Sequence, residues 1–261
     1  MFGWWTAARR RRLLSRGEPI DFRDQLSEGI WQWSHLPSDV ADAAADWARI
    51  FIAEKYWEGC GGLQLAPHHQ SVIAGQASLM TLAFPNWFFD RCRTLLIYPT
   101  DYVAPGITHM VDGQIGVHGE QARSGQTSYR GPVIINWSAV AEAGRDHNDG
   151  HSLTVHELAH QMDFDNDPSG DGVPPLPGNV DSQRWQASFN DQFTELRRRA
   201  QYGDDVLVDD YGLTSPTEFF AVSSELFFQL PHELAELHDE LFELLLAFYR
   251  RDWREWLPRW S

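Results

Sequence analysis

Apolar residues recur at helical spacing over two segments in the first third of the chain. From Ser38 to Tyr56 they fall every three or four positions, and Ser38 or Asp39 is placed to cap the first turn. Residues 71–89 are more densely apolar, which predicts a second buried helix that breaks near Pro85. Both helices are expected to face the core.

The pattern then changes to short runs that favour β-structure. Thr94–Tyr98 is an apolar run that stops at Pro99 and predicts a buried strand. Glycines separate three further runs, at Gln114–His118, Gly125–Tyr129 and Pro132–Trp137. These runs predict a small sheet in the N-terminal half of the chain.

Helical patterns return after Gly150, at residues 152–163, 181–201, 216–229 and 232–250. The chain has no internal repeat and no long linker, which favours one compact α+β domain over residues 17–261, with a sheet-bearing half and a helical half. Residues 1–16 begin with aromatic residues and continue into Arg9–Arg12. We expect a mobile tail there, with a weak surface or partner contact as the alternative.

Composition narrows the class of protein. Of the 261 residues, 43% are hydrophobic and 22% charged, which is ordinary for a globular protein. The 37 acidic and 21 basic residues give a net charge of -16, which argues against direct binding to nucleic acid. Cys60 and Cys92 are too few for a disulfide framework. Without a membrane-length apolar run or a signal-like N-terminus, a cytoplasmic protein with no membrane span is expected.

The strongest local signal is the sequence His156-Glu157-Leu-Ala-His160 inside a predicted helix. Positions i and i+4 share one helix face, so both imidazoles can reach one metal ion, with Glu157 close enough to act on a metal-bound water. A histidine pair on an amphipathic helix without metal is the alternative. It is disfavoured because a buried glutamate between two histidines is costly unless it is paired.

A catalytic zinc site needs a third protein ligand, and the sequence alone leaves its identity open. The motif with a third histidine further along the same segment fails, because the required glycine and histidine positions hold Asp163 and Asn166. Glu195 precedes three arginines, as on a solvated face. Glu218 is either this ligand or part of a capping box with Ser215 at the start of its helix.

Several separate motifs resemble the Mlc titration factor A family of bacterial zinc peptidases. They are the His156–His160 helix, Tyr211, the segment Pro216-Thr-Glu-Phe-Phe-Ala-Val-Ser-Ser-Glu-Leu-Phe-Phe, and shorter matches at 95–99, 125–137 and 172–174. The resemblance covers about residues 40 to 250. The catalytic part of that family is similar to anthrax lethal factor, which implies a gluzincin or zincin-like fold that is mostly helical, with a small mixed β-sheet before the active-site helix.

The resemblance also implies roles for individual residues. It makes Glu218 the third ligand of one Zn²⁺ per chain, with His156 and His160, and it places the hydroxyl of Tyr211 opposite the developing oxyanion. A turn residue is the alternative for Tyr211. Asp163 and Glu225 are candidates to accept a hydrogen bond from a ligand imidazole, or else are solvated or helix-capping groups.

These observations predict a zinc-dependent metallopeptidase that acts on a peptide or protein substrate. Glu157 is the expected general base, and Gly131–Trp137 is expected to offer a strand edge along which the substrate pairs. Resemblance suggests aminopeptidase-like action. It also suggests the rival function of a regulatory protein that sequesters a Mlc-type repressor of glucose uptake, with peptidase activity secondary.

Overall fold

The computed structural model describes residues 2–103, 109–111, 114–116, 122–123, 125–126 and 131–259, and ten α-helices form most of the regular secondary structure in these ranges. In chain order the helices are α1 Phe2–Leu14, α2 Phe22–Gly29, α3 Ser38–Glu54, α4 Pro67–Met80, α5 Trp137–Ala143, α6 Leu153–Asp163, α7 Ser182–Gln201, α8 Pro216–Gln229, α9 Pro231–Leu237 and α10 Asp239–Tyr249. Short 3₁₀ turns occupy Trp31–His35 and Trp253–Glu255. None of these helices is both long and apolar enough to cross a lipid bilayer.

The described strands form one four-stranded sheet and two short pairs. In chain order they are β1 Tyr56–Gly59, β2 Thr94–Tyr98, β3 Tyr102–Val103, β4 His109–Val111, β5 Gln114–Gly116, β6 Ala122–Arg123, β7 Gly125–Gln126 and β8 Val133–Asn136. The larger sheet has the order β1-β2-β8-β7, with β1, β2 and β8 parallel and β7 antiparallel. A mostly helical protein with a small mixed sheet ahead of α6 is therefore confirmed.

Strand β8 lies inside this sheet rather than at its edge. Leu95 pairs with Val133 on the β2 side, and Gln126 pairs with Ile134 on the β7 side. The prediction that Gly131–Trp137 offers an open edge is therefore wrong. The apolar run Val133-Ile-Ile135 is typical of a parallel strand inside a covered sheet, and in the described part of the chain β7 is the edge next to β8.

Several boundaries differ from the predictions for local reasons. The helix predicted over 71–89 ends at Met80, well before Pro85. Trp137 begins α5 instead of ending a strand, because the side chain of Asn136 caps that helix by accepting hydrogen bonds from two backbone N–H groups. The single helix predicted over 232–250 is two helices, with non-helical backbone at His238.

The N-terminal segment also differs from the expected tail. Residues 2–14 are helical, and the guanidinium of Arg10 forms a bidentate ion pair with Glu54, at 2.9 and 2.7 Å. The same guanidinium lies over the ring of Phe88, 3.8 Å from its centroid. Arginine is well suited to bidentate pairing and to stacking. Here the ion pair attaches α1 to α3, and the stacking attaches it to the segment between α4 and β2.

The core is one contiguous cluster of buried side chains that extends from Phe22 to Leu257. Helix α8 runs through it, and each of its residues from Phe219 to Gln229 is buried. Helix α6 packs against α8, and its residues Thr154, Val155 and Leu158 are buried as well. Side chains between these two helices are therefore held in a rigid and mostly dry environment.

Candidate metal centre

Helix α6 presents two imidazoles on one face, one turn apart. The ring centroids of His156 and His160 are 4.8 Å apart, and their Nε2 atoms lie 3.2 Å from each other. Both side chains are largely buried. The i, i+4 spacing thus brings two nitrogen ligands together at one point, as the sequence predicted.

Helix α8 brings a carboxylate to the same point. The hydroxyl of Ser215 accepts a hydrogen bond from the backbone N–H of Glu218 and so caps α8, whose first residue is Pro216. Oε2 of Glu218 lies 3.2 Å from Nε2 of His156 and 3.3 Å from Nε2 of His160. The backbone of Glu218 therefore takes part in the cap while its side chain joins the two histidines.

The three candidate ligand atoms have the spacing that tetrahedral coordination of a metal ion requires. Their separations of 3.2, 3.2 and 3.3 Å match the edge of about 3.3 Å expected for zinc with bonds of about 2.0–2.1 Å. Oε2 of Glu218 is buried and has no aligned hydrogen-bond donor among the described residues. His156, His160 and Glu218 thus form a metal-compatible group, and three converging lone pairs are satisfied by a cation.

Glu225 supports His156 from the side remote from this point. Its Oε1 lies 2.7 Å from Nδ1 of His156, and its Oε2 accepts a hydrogen bond of 2.6 Å from the backbone N–H of Ser152. Burial lowers the pKa of His156, but Glu225 and Glu218 outweigh this effect and raise that pKa well above its usual value. With its proton on Nδ1, His156 presents the Nε2 lone pair to the ligand point.

Glu157 is almost completely buried, with 4% of its surface exposed. Its Oε2 has no hydrogen-bond partner within the described ranges. Burial raises the pKa of this carboxyl to about 8, and the charges of Glu218 and Glu225 act in the same direction while His156 opposes them. A cation nearby would favour the ionised form, which is the form that accepts a proton.

Asp163 does not contact a ligand imidazole, so that candidate role is wrong. Its carboxylate accepts hydrogen bonds from the backbone N–H groups of Asp171, Gly172 and Val173, at 3.3, 3.0 and 3.0 Å. Nδ1 of His160 has no hydrogen-bond partner in the part of the chain described. Burial raises the pKa of Asp163 to about 6 against these hydrogen bonds. Asp163 therefore anchors a loop.

Tyr211 lies beside the metal-compatible group, on the loop before α8. Its ring centroid is 5.9 Å from that of His156, and 55% of its surface is exposed. Its backbone carbonyl accepts hydrogen bonds from both the N–H and the hydroxyl of Thr214, which makes it a turn residue as well. The geometry therefore allows Tyr211 to be a turn residue and also to have its ring beside the metal-compatible group.

Glu195 pairs with Arg198 on the exposed surface of α7 and is not part of the metal-compatible group. The N–H of Ser152, which orients Glu225, was not predicted, because a backbone donor leaves no residue-type signal in the sequence.

One family profile and several known proteins match this chain over most of its length. The profile of the family described as Glucose-regulated metallo-peptidase M90 matches residues 4–250. A protein of Synechocystis described as uncharacterized is 30% identical over 246 residues, which cover 94% of this chain and 89% of the relative. Proteins named Mlc titration factor A are 30% identical over 223 residues in Klebsiella pneumoniae (84% of this chain, 82% of the relative) and 31% over 211 residues in Edwardsiella ictaluri (78% of each).

Proposed function

Because the chain belongs to the Glucose-regulated metallo-peptidase M90 family, we propose that it is a zinc-dependent peptidase of the gluzincin type. The observation that carries the proposal is the triangle formed by Nε2 of His156, Nε2 of His160 and Oε2 of Glu218. Zinc held by these atoms would supply a water with a pKa lowered toward ~7 and would polarise the substrate carbonyl.

Glu157 acts as the proton carrier. It follows a ligand directly in sequence, is buried, and has a carboxyl oxygen with no partner among the described residues. In ionised form it accepts the proton of the attacking water, and it then returns this proton to the leaving amine nitrogen. Its buried position keeps bulk water from competing for that proton.

Tyr211 donates a hydrogen bond to the oxyanion that develops on the substrate. This role is supported by the placement of its ring beside His156 on an exposed loop, where a bound substrate is accessible. A donor that contacts the oxygen only as charge develops lowers the barrier without tightening substrate binding.

The substrate is a peptide that pairs with the edge strand β7, Gly125–Gln126, rather than with β8. Strand β7 is the antiparallel outer strand of the sheet and contacts α6, which carries the two histidines. Backbone hydrogen bonds to such an edge hold an extended peptide independently of its sequence. Aminopeptidase-like preference is proposed from the family resemblance, and a reducing cytoplasm fits the two free cysteines.

A second candidate function is the binding of a Mlc-type repressor, which the printed name of several relatives favours. Purified chain and a purified Mlc-type protein, mixed and examined by sedimentation, test it. The variant Glu157→Gln separates the two functions. If this chain binds the repressor, the variant should bind it as the parent does, although it has lost peptidase activity. If the parent chain forms no complex, repressor binding is contradicted and the peptidase proposal is the one that remains.

The peptidase proposal is tested with the zinc-loaded 261-residue chain and aminoacyl p-nitroanilides, with and without an N-acetyl group. The parent should hydrolyse the free-amine substrates, and Glu157→Gln should lose at least ~10²-fold in kcat while retaining zinc. Glu142→Gln, on the exposed surface of α5, is the matched control and should behave like the parent. Equal turnover by Glu157→Gln and the parent would remove Glu157 from the mechanism.

A further inference from the structure

The loop after α6 lies against the first turn of α8, which carries Glu218. A Cβ atom added to Gly172 would collide with the carbonyl oxygen of Pro216, so the two backbones are in direct contact there. A Cβ atom on Gly170 would lie 3.3 Å from Cγ2 of Thr217. The φ angle is +71° at Gly170 and +77° at Gly172, a left-handed conformation that glycine adopts without strain. The missing side chains also permit the close approach of the loop to α8.

Asp163 holds this loop in place from the other side. It is the last residue of α6 and is completely buried. Its two carboxylate oxygens accept three hydrogen bonds from consecutive backbone N–H groups, at Asp171, Gly172 and Val173. A buried carboxylate is stable in such a place only when donors of this kind surround it, so carboxylate and loop conformation depend on each other.

The links between α6 and α8 lie on both sides of the three ligand atoms. Glu225 connects α8 to the start of α6 through Ser152 and His156. Asp163, through the loop, connects the end of α6 to the start of α8. Two ligands come from α6 and one from α8, so the separation of the ligand atoms depends on how the ends of these helices are held.

We propose that Asp163 is a positioning residue for the metal centre: by holding residues 171–173 against Pro216, it sets the place of Glu218 relative to the two histidines. Without the carboxylate the loop loses its three hydrogen bonds, and the first turn of α8 loses the surface against which it packs. The inference rests on the proposed function, because it requires that a metal bind His156, His160 and Glu218.

The test uses Co²⁺ as the metal probe on the full chain. The dissociation constant comes from competition with a chelating dye, the coordination geometry from visible absorption, and fold stability from the melting temperature without metal. Asp163→Asn keeps the shape but leaves one strong acceptor oxygen, so Co²⁺ affinity should fall by about 10-fold or more and the visible band should change. Asp167→Asn is the control. Asp167 lies in the same loop and is only partly buried, and among the described residues its carboxylate accepts hydrogen bonds from Ser169 alone. The Co²⁺ affinity of this variant should stay within about twofold of the parent.

A role confined to fold stability gives a different result. Asp163→Asn would then melt at a lower temperature, while its folded form would bind Co²⁺ with the affinity and spectrum of the parent, and this outcome overturns the proposal. If Asp163→Asn does not fold, Gly172→Ala decides, because it displaces the loop from Pro216 with the carboxylate retained and should also weaken and alter Co²⁺ binding. Loss of fold in both variants would contradict a positioning role. A parent chain that does not bind Co²⁺ would instead contradict the metal centre itself.

Discussion

Oε1 of Glu225 lies 2.7 Å from Nδ1 of His156, and through this contact α8 orients a side chain of α6. The other oxygen of Glu225 is held by the backbone N–H of Ser152, so the carboxylate cannot rotate away without losing that hydrogen bond. The contact favours the His156 tautomer that leaves Nε2 free for a metal. One buried glutamate thus links the packing of two helices to the electronic state of a proposed ligand.

We predict that Glu225→Gln weakens metal binding by about 10-fold without abolishing it, because the amide is a poorer acceptor and does not carry the negative charge that raises imidazole basicity. Zinc dissociation constants measured by chelator competition check this. Glu243→Gln, exposed on α10, is the control. Unchanged affinity in Glu225→Gln would show that the negative charge of Glu225 does not contribute to metal binding.

Tyr211→Phe should lower kcat by ~10²-fold with little change in KM or zinc content, because a donor to the developing oxyanion acts mainly in the transition state. Steady-state kinetics and zinc content are measured on the same preparation. Tyr202→Phe, an equally conservative change at an exposed tyrosine after α7, should leave kcat unchanged. A kcat for Tyr211→Phe within about threefold of the parent would leave Tyr211 as a turn residue only.

Metal binding near pH 7 should release at least one proton per site. The carboxylates of Glu225 and Glu218 outweigh the effect of burial and raise the pKa of His156, so the metal-free protein holds a proton there that a metal must displace. Affinity should therefore rise with pH up to the pKa of His156. Calorimetric titrations in buffers of different ionisation enthalpy count the protons, and a count near zero at pH 7 would contradict this protonation state.

The same pKa shift predicts how the stability of the metal-free protein varies with pH. A histidine whose pKa is raised by folding stabilises the fold fully below its unfolded pKa of ~6.5, and this contribution is lost as pH rises through the folded value. His156→Gln should remove that part of the pH dependence. Denaturant unfolding of the metal-free parent and variant at several pH values measures the difference, and parallel curves would be inconsistent with the shift.

Local sequence signals predicted much of the fold. Helical periodicity correctly placed the start of α3 at Ser38, but the predicted cap by Ser38 or Asp39 is wrong, because Pro37 holds the cap position and no side chain caps the helix. Ser215-Pro216 correctly predicted the start and the cap of α8. The histidine pair followed from spacing alone, because i and i+4 always share a face. Breaks that depend on tertiary packing, such as the one at His238 between α9 and α10, carry no comparable signal.

Long-range contacts explain what the sequence left open. Glu218 lies 58 residues beyond His160 in the sequence. The sequence allowed Glu218 to be a helix cap or a ligand, and only the resemblance favoured the ligand. In the structure its Oε2 lies beside both imidazoles. Asp163 had the spacing expected of a residue that contacts an imidazole, yet its carboxylate is taken by the N–H groups of a loop whose conformation no motif reveals. The pairing of β8 on both sides likewise depends on β7, of which Gly125 and Gln126 are the described residues.

The zinc content of the purified 261-residue chain, compared between the parent and the variants Glu218→Ala and Glu195→Ala, tests the central claim most directly. The parent should contain close to one zinc per chain, because three ligands on two helices complete a site. Glu218→Ala should lose most of that zinc, and Glu195→Ala, on the exposed face of α7, should keep it. Full zinc in Glu218→Ala, or a parent that contains none after reconstitution, would contradict the account.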